Sequence, residues 1–142
     1  MKIRKAHARD IPKLAYLMGE LGYPTSIEEM SIRFKKIESS SSYCTLVAEY
    51  NEDVVGMIGL CSGYFYEKNG LYVRIVALVV DSNYRNRGIG KRLIEEAESW
   101  ARKQRAISIG LNSGNRDERK KTHQFYLRMG YQEKSKGFVK SL

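Results

Sequence analysis

The chain has 142 residues, of which 42% are hydrophobic and 11% aromatic, so it suits one folded domain over residues 1–142 and is not a disordered chain. Its 25 lysines and arginines against 16 acidic residues give a net charge of +9, which fits a nucleic acid, an anionic membrane or a polyanionic small molecule as partner. No membrane span, signal peptide, disulfide framework or metal site is recognisable, so we expect a cytoplasmic protein with no membrane partner and no metal.

The N-terminal third of the chain reads as a strand followed by two helices. Lys2–Lys5 can form the strand, and apolar residues at helical spacing predict helices over Ala8–Leu21 and from Ile27 to Ile37. Thr25 and Glu28 form a candidate capping box at the start of the second helix.

Three strand-like segments follow, joined by short polar turns. They are Cys44–Tyr50, Val54–Tyr66 and Leu71–Val80. Consecutive strands with tight turns predict an antiparallel meander.

The C-terminal half alternates helices and strands. The pattern predicts a helix from about Gly88 to Lys103, a strand over Ile107–Leu111, a helix over about Asp117–Met129 and a last strand over Tyr131–Val139. The whole order predicts an α/β (α+β) fold, in which a mixed sheet is flanked by about four helices.

The turn that leads into the helix at Gly88 concentrates positive charge around two glycines. Its residues of interest are Arg85, Arg87, Gly88, Gly90, Lys91 and Arg92. Cations at a helix N-terminus are destabilising unless an anion binds there, and glycines let a phosphate approach the backbone N–H groups. We interpret the turn as a phosphate site. The alternative is an ordinary strand-to-helix turn with solvated cations, since neither the P-loop nor the dinucleotide pattern is present.

Two segments resemble motifs of the GNAT superfamily of N-acetyltransferases. Arg85–Gly90 is similar to its Arg/Gln-x-x-Gly-x-Gly/Ala signature, and His123–Tyr131 is similar to its later Phe-Tyr-x-x-x-Gly-Phe/Tyr segment, at the usual separation. The resemblance covers essentially the whole chain. It implies an acyl-CoA N-acyltransferase fold, with a twisted mixed sheet splayed after its fourth strand. In that family the pantetheine arm of the cofactor enters the splay.

The resemblance also implies a binding site for acetyl-coenzyme A (acetyl-CoA). Backbone N–H groups from about Arg87 to Arg92, including that of Ile89, would bind the pyrophosphate, and the basic side chains would assist them. Leu78, Val79 and Val80 would offer main-chain groups to the pantetheine, while their side chains belong to the sheet core.

Tyr126 matches the tyrosine that serves as general acid in many GNAT enzymes, although on residue pattern alone it could simply pack on an amphipathic helix. Two positions depart from the family pattern. Arg74 stands where some members carry a glutamate base, and Arg119 stands where an asparagine often binds the pantetheine. Asn112 or Asn115 could supply that hydrogen bond instead, and Asn115 is the candidate we retain.

We therefore expect an acetyl-CoA-dependent N-acetyltransferase that acylates a primary amine of a small molecule or peptide by direct transfer in a ternary complex. One alternative is a basic nucleic-acid-binding module, which is disfavoured because no helix-turn-helix, zinc-finger or RNA-binding signature is present. The other is a non-catalytic acyl-CoA sensor on the same fold. The predicted last strand could pair across a homodimer.

Overall fold

The computed structural model describes residues 1–112, 120–134 and 137–142. Within them, one sheet holds five strands in chain order. The strands are β1 (Lys2–Lys5), β2 (Tyr43–Tyr50), β3 (Asp53–Tyr64), β4 (Leu71–Val80) and β5 (Ala106–Leu111). The helices are α1 (Ile11–Leu21), α2 (Ile27–Glu38), α3 (Ile89–Lys103) and α4 (Lys120–Arg128), with short 3₁₀ turns at Ala8–Asp10 and Ser82–Tyr84. This confirms the predicted mixed sheet flanked by four helices.

The two helices of the N-terminal third are closed by local capping. Gly22 ends α1 in the left-handed region at φ 108°, where glycine has no steric penalty. Ser26 caps α2, because its Oγ accepts a hydrogen bond from the Glu29 backbone N–H at 3.0 Å. The predicted capping box at Thr25 was therefore wrong by one residue. The Thr25 hydroxyl instead donates to the Glu29 carboxylate at 3.3 Å.

Helices cover both faces of the sheet. The side chains of α1 and α2 pack on one face, where Leu14 and Leu17 are fully buried and contact the cluster that holds Val47. On the opposite face, Leu93 and Ile94 of α3 are fully buried in a second cluster. Successive residues of a strand point to opposite faces, so strands rich in apolar residues bury side chains on both sides of the sheet.

The N-terminal strand is fixed to the body of the domain by a charged cluster. The Arg4 guanidinium donates to Asp10 at 2.8 and 2.9 Å and to Glu49 at 2.8 Å. The side chain of Asp10 is only 6% exposed, and hydrogen bonding to Arg4 lowers the pKa of its carboxyl below the usual value. The cluster thus links β1, the 3₁₀ turn at Ala8–Asp10 and β2.

β4 lies between β3 and β5, but only β3 pairs with it along its whole length. It is antiparallel to β3 over its whole length, but its parallel pairing with β5 covers only Leu71–Ile75. Val76 is an extra residue in the register with β3, since Gly59 pairs with Ala77 and Leu60 with Ile75. Such a bulge bends the strand. Beyond it, Val76–Val80 has no strand on the β5 side within the described residues, which is the splay that was expected.

The predicted last strand, Tyr131–Val139, was wrong for the residues that the structure describes; positions 135 and 136 lie outside them. Residues 131–134 and 137–142 adopt no strand. Tyr131 packs against the core, but Phe138 and Val139 are 92% and 97% exposed, so the segment does not bury one face along its length. A strand needs a neighbouring strand to pair with, and the tail residues 131–134 and 137–142 pair with none.

Candidate functional site

The unpaired half of β4 presents main-chain polar groups to the side where β5 is missing. The backbone N–H of Asp81 donates to the Val55 carbonyl of β3 at 2.8 Å. Because main-chain groups alternate in direction along a strand, those of Val79 also point toward β3, and those of Leu78 and Val80 point to the open side. Consistently, the Val80 carbonyl accepts a hydrogen bond from Arg85 Nε at 3.4 Å.

The first turn of α3 presents a second set of free donors beside this edge. Gly88 is the N-cap, in the left-handed region at φ 77° and ψ 12°. The first intrahelical hydrogen bond runs from the Arg92 N–H to the Gly88 carbonyl at 3.1 Å. The N–H groups of Ile89, Gly90 and Lys91 precede that bond, so they have no acceptor within the helix. Gly88 has no side chain that could cap them.

Gly90 keeps the space above these donors open. A Cβ atom at this position would lie 3.8 Å from Phe125 Cζ of α4 and 4.0 Å from Val80 Cγ2. The absent side chain thus leaves a slot between the end of β4 and α4, directly beside the free N–H groups. Free donors, a helix N-terminus and a side-chain-free slot fit a pyrophosphate group.

The four cations of the turn have different surroundings. Arg85, Lys91 and Arg92 are exposed. The Arg87 guanidinium lies over two aromatic rings, 5.1 Å from the centroid of Tyr84 and 5.6 Å from that of Tyr50. Ile89 differs from all of them, because its side chain is 2% exposed and belongs to the core. Its contribution to an anion site is therefore restricted to the backbone.

A contact that the sequence did not reveal fixes the start of this turn. The Glu20 carboxylate at the end of α1 accepts hydrogen bonds from the Ser82 backbone N–H at 3.1 Å and from its hydroxyl at 2.9 Å. These bonds lower the pKa of Glu20. Residues 62 positions apart along the chain carry no local sequence signal of such a contact.

Tyr126 lies in an aromatic group on α4. Its ring centroid is 5.4 Å from that of Phe125 and 6.0 Å from that of Tyr131. The Tyr131 hydroxyl donates to Glu98 of α3 at 2.9 Å, and burial together with this carboxylate raises the pKa of Tyr131. The group therefore packs the end of α4 against α3, and Phe125 is the member that approaches Gly90.

Tyr126 and His123 also line a cavity of about 780 Å³ between β5, α4 and the C-terminal tail. Asn112, at the end of β5, lines the same cavity, whereas no residue of the turn from Arg85 to Arg92 does. The structure thus brings the cofactor-binding candidates of β4 and α3 together. Tyr126 lies near them, because its neighbour Phe125 approaches Gly90, but the cavity that Tyr126 lines is not lined by the turn from Arg85 to Arg92. Asn115 and Arg119 lie outside the described residues.

The comparison with known proteins decides the family. Residues 9–131 match the sequence pattern of the acetyltransferase (GNAT) family. The chain belongs to this family. It is therefore an N-acetyltransferase, and the GNAT family generally uses acetyl-CoA.

Individual GNAT relatives agree with the assignment. The chain is 30% identical over 116 residues to the uncharacterized N-acetyltransferase YhdJ of Bacillus subtilis, covering 81% of this chain and 80% of that protein. A crystal structure of a GNAT family acetyltransferase from Staphylococcus aureus is 35% identical, with a TM-score of 0.86 over 99% of this chain and 98% of that one. A glucosamine-6-phosphate N-acetyltransferase from Arabidopsis thaliana is 26% identical, with a TM-score of 0.84 over 99% and 97% of the two chains.

Two further findings concern partners of this GNAT enzyme. Among the residues that the structure describes, no group of three or more His, Cys, Asp or Glu side chains could hold a metal ion. None of the described helices is long and apolar enough to span a bilayer.

Proposed function

We propose that this enzyme uses acetyl-CoA to acetylate a primary amine of a small molecule or peptide, as one domain over residues 1–142 and by direct transfer in a ternary complex. The observation that carries the proposal is the adjacency of two sets of main-chain groups that have no partner in a strand or helix among the described residues. The open edge of β4 ends where the free N–H groups of α3 begin. A ligand with an extended amide-bearing arm and a pyrophosphate matches both sets.

In this proposal the backbone N–H groups of Ile89, Gly90 and Lys91 hold the pyrophosphate. Leu78 and Val80 pair with the amides of the pantetheine arm, while Val79 between them keeps the strand bonded to β3. The exposed side chains of Arg85, Lys91 and Arg92 add charge, with Arg87 held in place by its two rings. Charge-assisted hydrogen bonds of this kind are stronger than neutral ones. Asn115 stays a prediction as a further cofactor contact.

The bound cofactor supplies an activated acetyl thioester. The chain has to place an amine against it and deliver a proton to the sulfur. The new C–N bond would replace the C–S bond, whose electron pair stays on sulfur, and the nitrogen would release one proton to solvent, from which the general acid is reprotonated. We assign the proton transfer to the Tyr126 hydroxyl, because the α4 residue next to it, Phe125, borders the slot at Gly90. A good leaving group needs only a positioned acid of this kind.

A direct test is turnover with acetyl-CoA against a broad panel of primary amines, followed through the release of free thiol. We expect turnover with at least one class of amine, and stabilisation by coenzyme A that double-stranded DNA does not compete away. Tight binding of coenzyme A without turnover of any amine would favour a sensor. Binding of DNA without binding of coenzyme A would favour the nucleic-acid module. Either result would refute the proposed activity.

We further propose that two chains associate as a homodimer through the C-terminal tail and the outer edge of β5. The tail leaves Phe138 and Val139 almost fully exposed, and Ile107 on β5 is 56% exposed. Exposed apolar residues beside an open strand edge favour pairing with another chain. The molar mass from light scattering tests this, since Phe138→Asp should convert a dimer to a monomer. A wild-type monomer at micromolar concentration would exclude it.

We also propose a cytoplasmic location. Cys44 and Cys61 are both free thiols, which suits a reducing compartment.

A further inference from the structure

Arg74 is an exposed arginine in the middle of β4, the strand that carries the proposed pantetheine contacts. We infer that its guanidinium binds an anionic group of the acceptor, a carboxylate or a phosphate, and thereby makes the enzyme selective for amines that carry such a group. This inference rests on the proposed acetyl transfer and names the substrate class for it.

The register places Arg74 on the sheet face opposite α3. Its strand neighbours Val73 and Ile75 are buried on the α3 side, so the Arg74 side chain points to the other face. It pairs with Cys61 of β3 and Gly110 of β5. Its side chain is exposed, so a ligand that approaches this face of the sheet can reach the guanidinium.

The surroundings of Arg74 are short of side chains. At Gly110 an added Cβ would meet no atom within 4 Å. Ser108 on β5 pairs with Tyr72 on the same face, and the Tyr72 ring covers Gly63, where a Cβ would lie 2.5 Å from the phenol oxygen. Small residues on β5 and a folded-down tyrosine leave open space beside the guanidinium. We call the face formed by Cys61, Tyr72, Arg74, Ser108 and Gly110 the Arg74 face.

No acidic residue of the described chain neutralises Arg74. The four ion pairs of the described residues involve Arg4, Lys13 and Arg33 as cations. Arg74 has no hydrogen bond or ion pair among them. The comparison with Arg4 is informative, because that guanidinium sits on the same sheet and is bound by two carboxylates. The Arg74 face thus offers a guanidinium whose donors are available to a ligand.

The location suits an acceptor rather than the cofactor. Arg74 precedes the bulge at Val76 and stands four residues before Leu78, about 13 Å along the strand at the usual rise. A pantetheine arm that starts at the α3 N-terminus and runs along the open edge of β4 would therefore point toward Arg74. A small molecule with an amine at one end and an oxyanion at the other could bridge that end of the arm and Arg74.

Guanidinium groups bind carboxylate and phosphate in a two-point geometry, and they repel a second cation. The Arg74 face therefore favours amino acids, peptides presenting a carboxylate, or phosphorylated amines. It disfavours polyamines and aminoglycosides, because their remaining ammonium groups would approach Arg74.

The test compares matched pairs of amines in the presence of acetyl-CoA. An amino acid is set against its methyl ester, and an amino sugar phosphate against the plain amino sugar. We expect kcat/KM for the anionic member of at least one pair to exceed that of its neutral partner by about tenfold or more, the range of a hydrogen-bonded charge. Arg74→Gln should remove the preference chiefly through KM and leave the neutral amine unaffected, and Arg74→Lys should restore part of it.

Lys2→Gln is the matched control, because it removes the same charge from an exposed position on β1, at the far edge of the sheet. It should leave the preference unchanged. Equal rates for anionic and neutral amines in the wild type, or a preference that survives Arg74→Gln, would refute the role of Arg74 while leaving acetyl transfer intact.

A second readout does not need turnover. Titration of the protein with the preferred amino acid or amino sugar phosphate should shift the Arg74 Nε–H resonance saturably in NMR spectra. A shift without turnover would support the anion site and refute the acetyl transfer. Turnover without a shift would support the acetyl transfer and refute the anion site.

Discussion

Replacing Gly90 with aspartate should separate folding from cofactor binding. The new Cβ would lie in ordinary van der Waals contact, 3.8 Å from Phe125 Cζ, so no backbone shift is required. A carboxylate in the first turn of α3 interacts favourably with the helix N-terminus by about 0.3–1 kcal/mol, and glycine is a poorer helix former than aspartate. We therefore expect the free energy of unfolding to stay within about 1 kcal/mol of the wild type or to rise.

Binding should change in the opposite direction. The introduced carboxylate would occupy the slot that a pyrophosphate needs and would repel its charge. Coenzyme A at one hundred times its Kd should stabilise the wild type by about 2.7 kcal/mol. This corresponds to a rise in Tm of roughly 5–10 °C for a domain of this size. For Gly90→Asp the rise should vanish. Differential scanning fluorimetry with and without coenzyme A measures both quantities in one experiment.

Gly90→Ala is the matched control, because it adds the same Cβ without the charge and should retain most of the thermal shift. The reasoning about the slot would be refuted if Gly90→Asp were still protected by coenzyme A. Equal loss of binding in the alanine and aspartate variants would show that filling the slot, and not the added charge, prevents binding.

Two further substitutions test the remaining site and the fold. Tyr126→Phe should lower kcat for acetyl transfer at least tenfold, in the range of a lost general acid, while the coenzyme A thermal shift is retained; an unchanged kcat would remove Tyr126 from the mechanism. Asp10→Asn should lower the free energy of unfolding by about 2 kcal/mol at pH 7, because it weakens charged hydrogen bonds to Arg4. The pKa of Asp10 is lowered in the folded state, so this stabilisation is complete above the unfolded pKa of about 3.9 and is lost as pH falls through the folded value. Urea unfolding at several pH values should show the difference between Asp10→Asn and wild type disappear in acid, and a difference independent of pH would contradict the assignment.

Most of the fold could be predicted from the sequence, because its signals are local. The strand, turn and helix around Gly88 are neighbours along the chain, so their pattern predicted the strand-to-helix turn that holds the candidate cofactor site. The capping residue of α2 was misplaced because Thr25 and Ser26 are adjacent and chemically equivalent as caps. Only the backbone geometry chooses between them.

Features that depend on distant parts of the chain were not predictable. The bulge at Val76 arises from the register between β3 and β4 and has no local pattern. The contact between Glu20 and Ser82 joins elements far apart in the sequence. The tail pattern over Tyr131–Val139 is strand-like, but a strand forms only where a neighbour accepts its hydrogen bonds. Arg74 was visible as a departure from the family pattern, but only the structure shows that no described residue forms an ion pair with it.

The half-paired β4 has a consequence for the protein in the absence of its cofactor. Unsatisfied main-chain groups along an extended strand are a template onto which other polypeptides can add. Most proteins keep such templates at the periphery, but here Leu78 and Val80 belong to a central strand. A pantetheine arm lying along them would act as a removable cover. Coenzyme A bound in this way would shield the same few peptide groups from pairing with another chain.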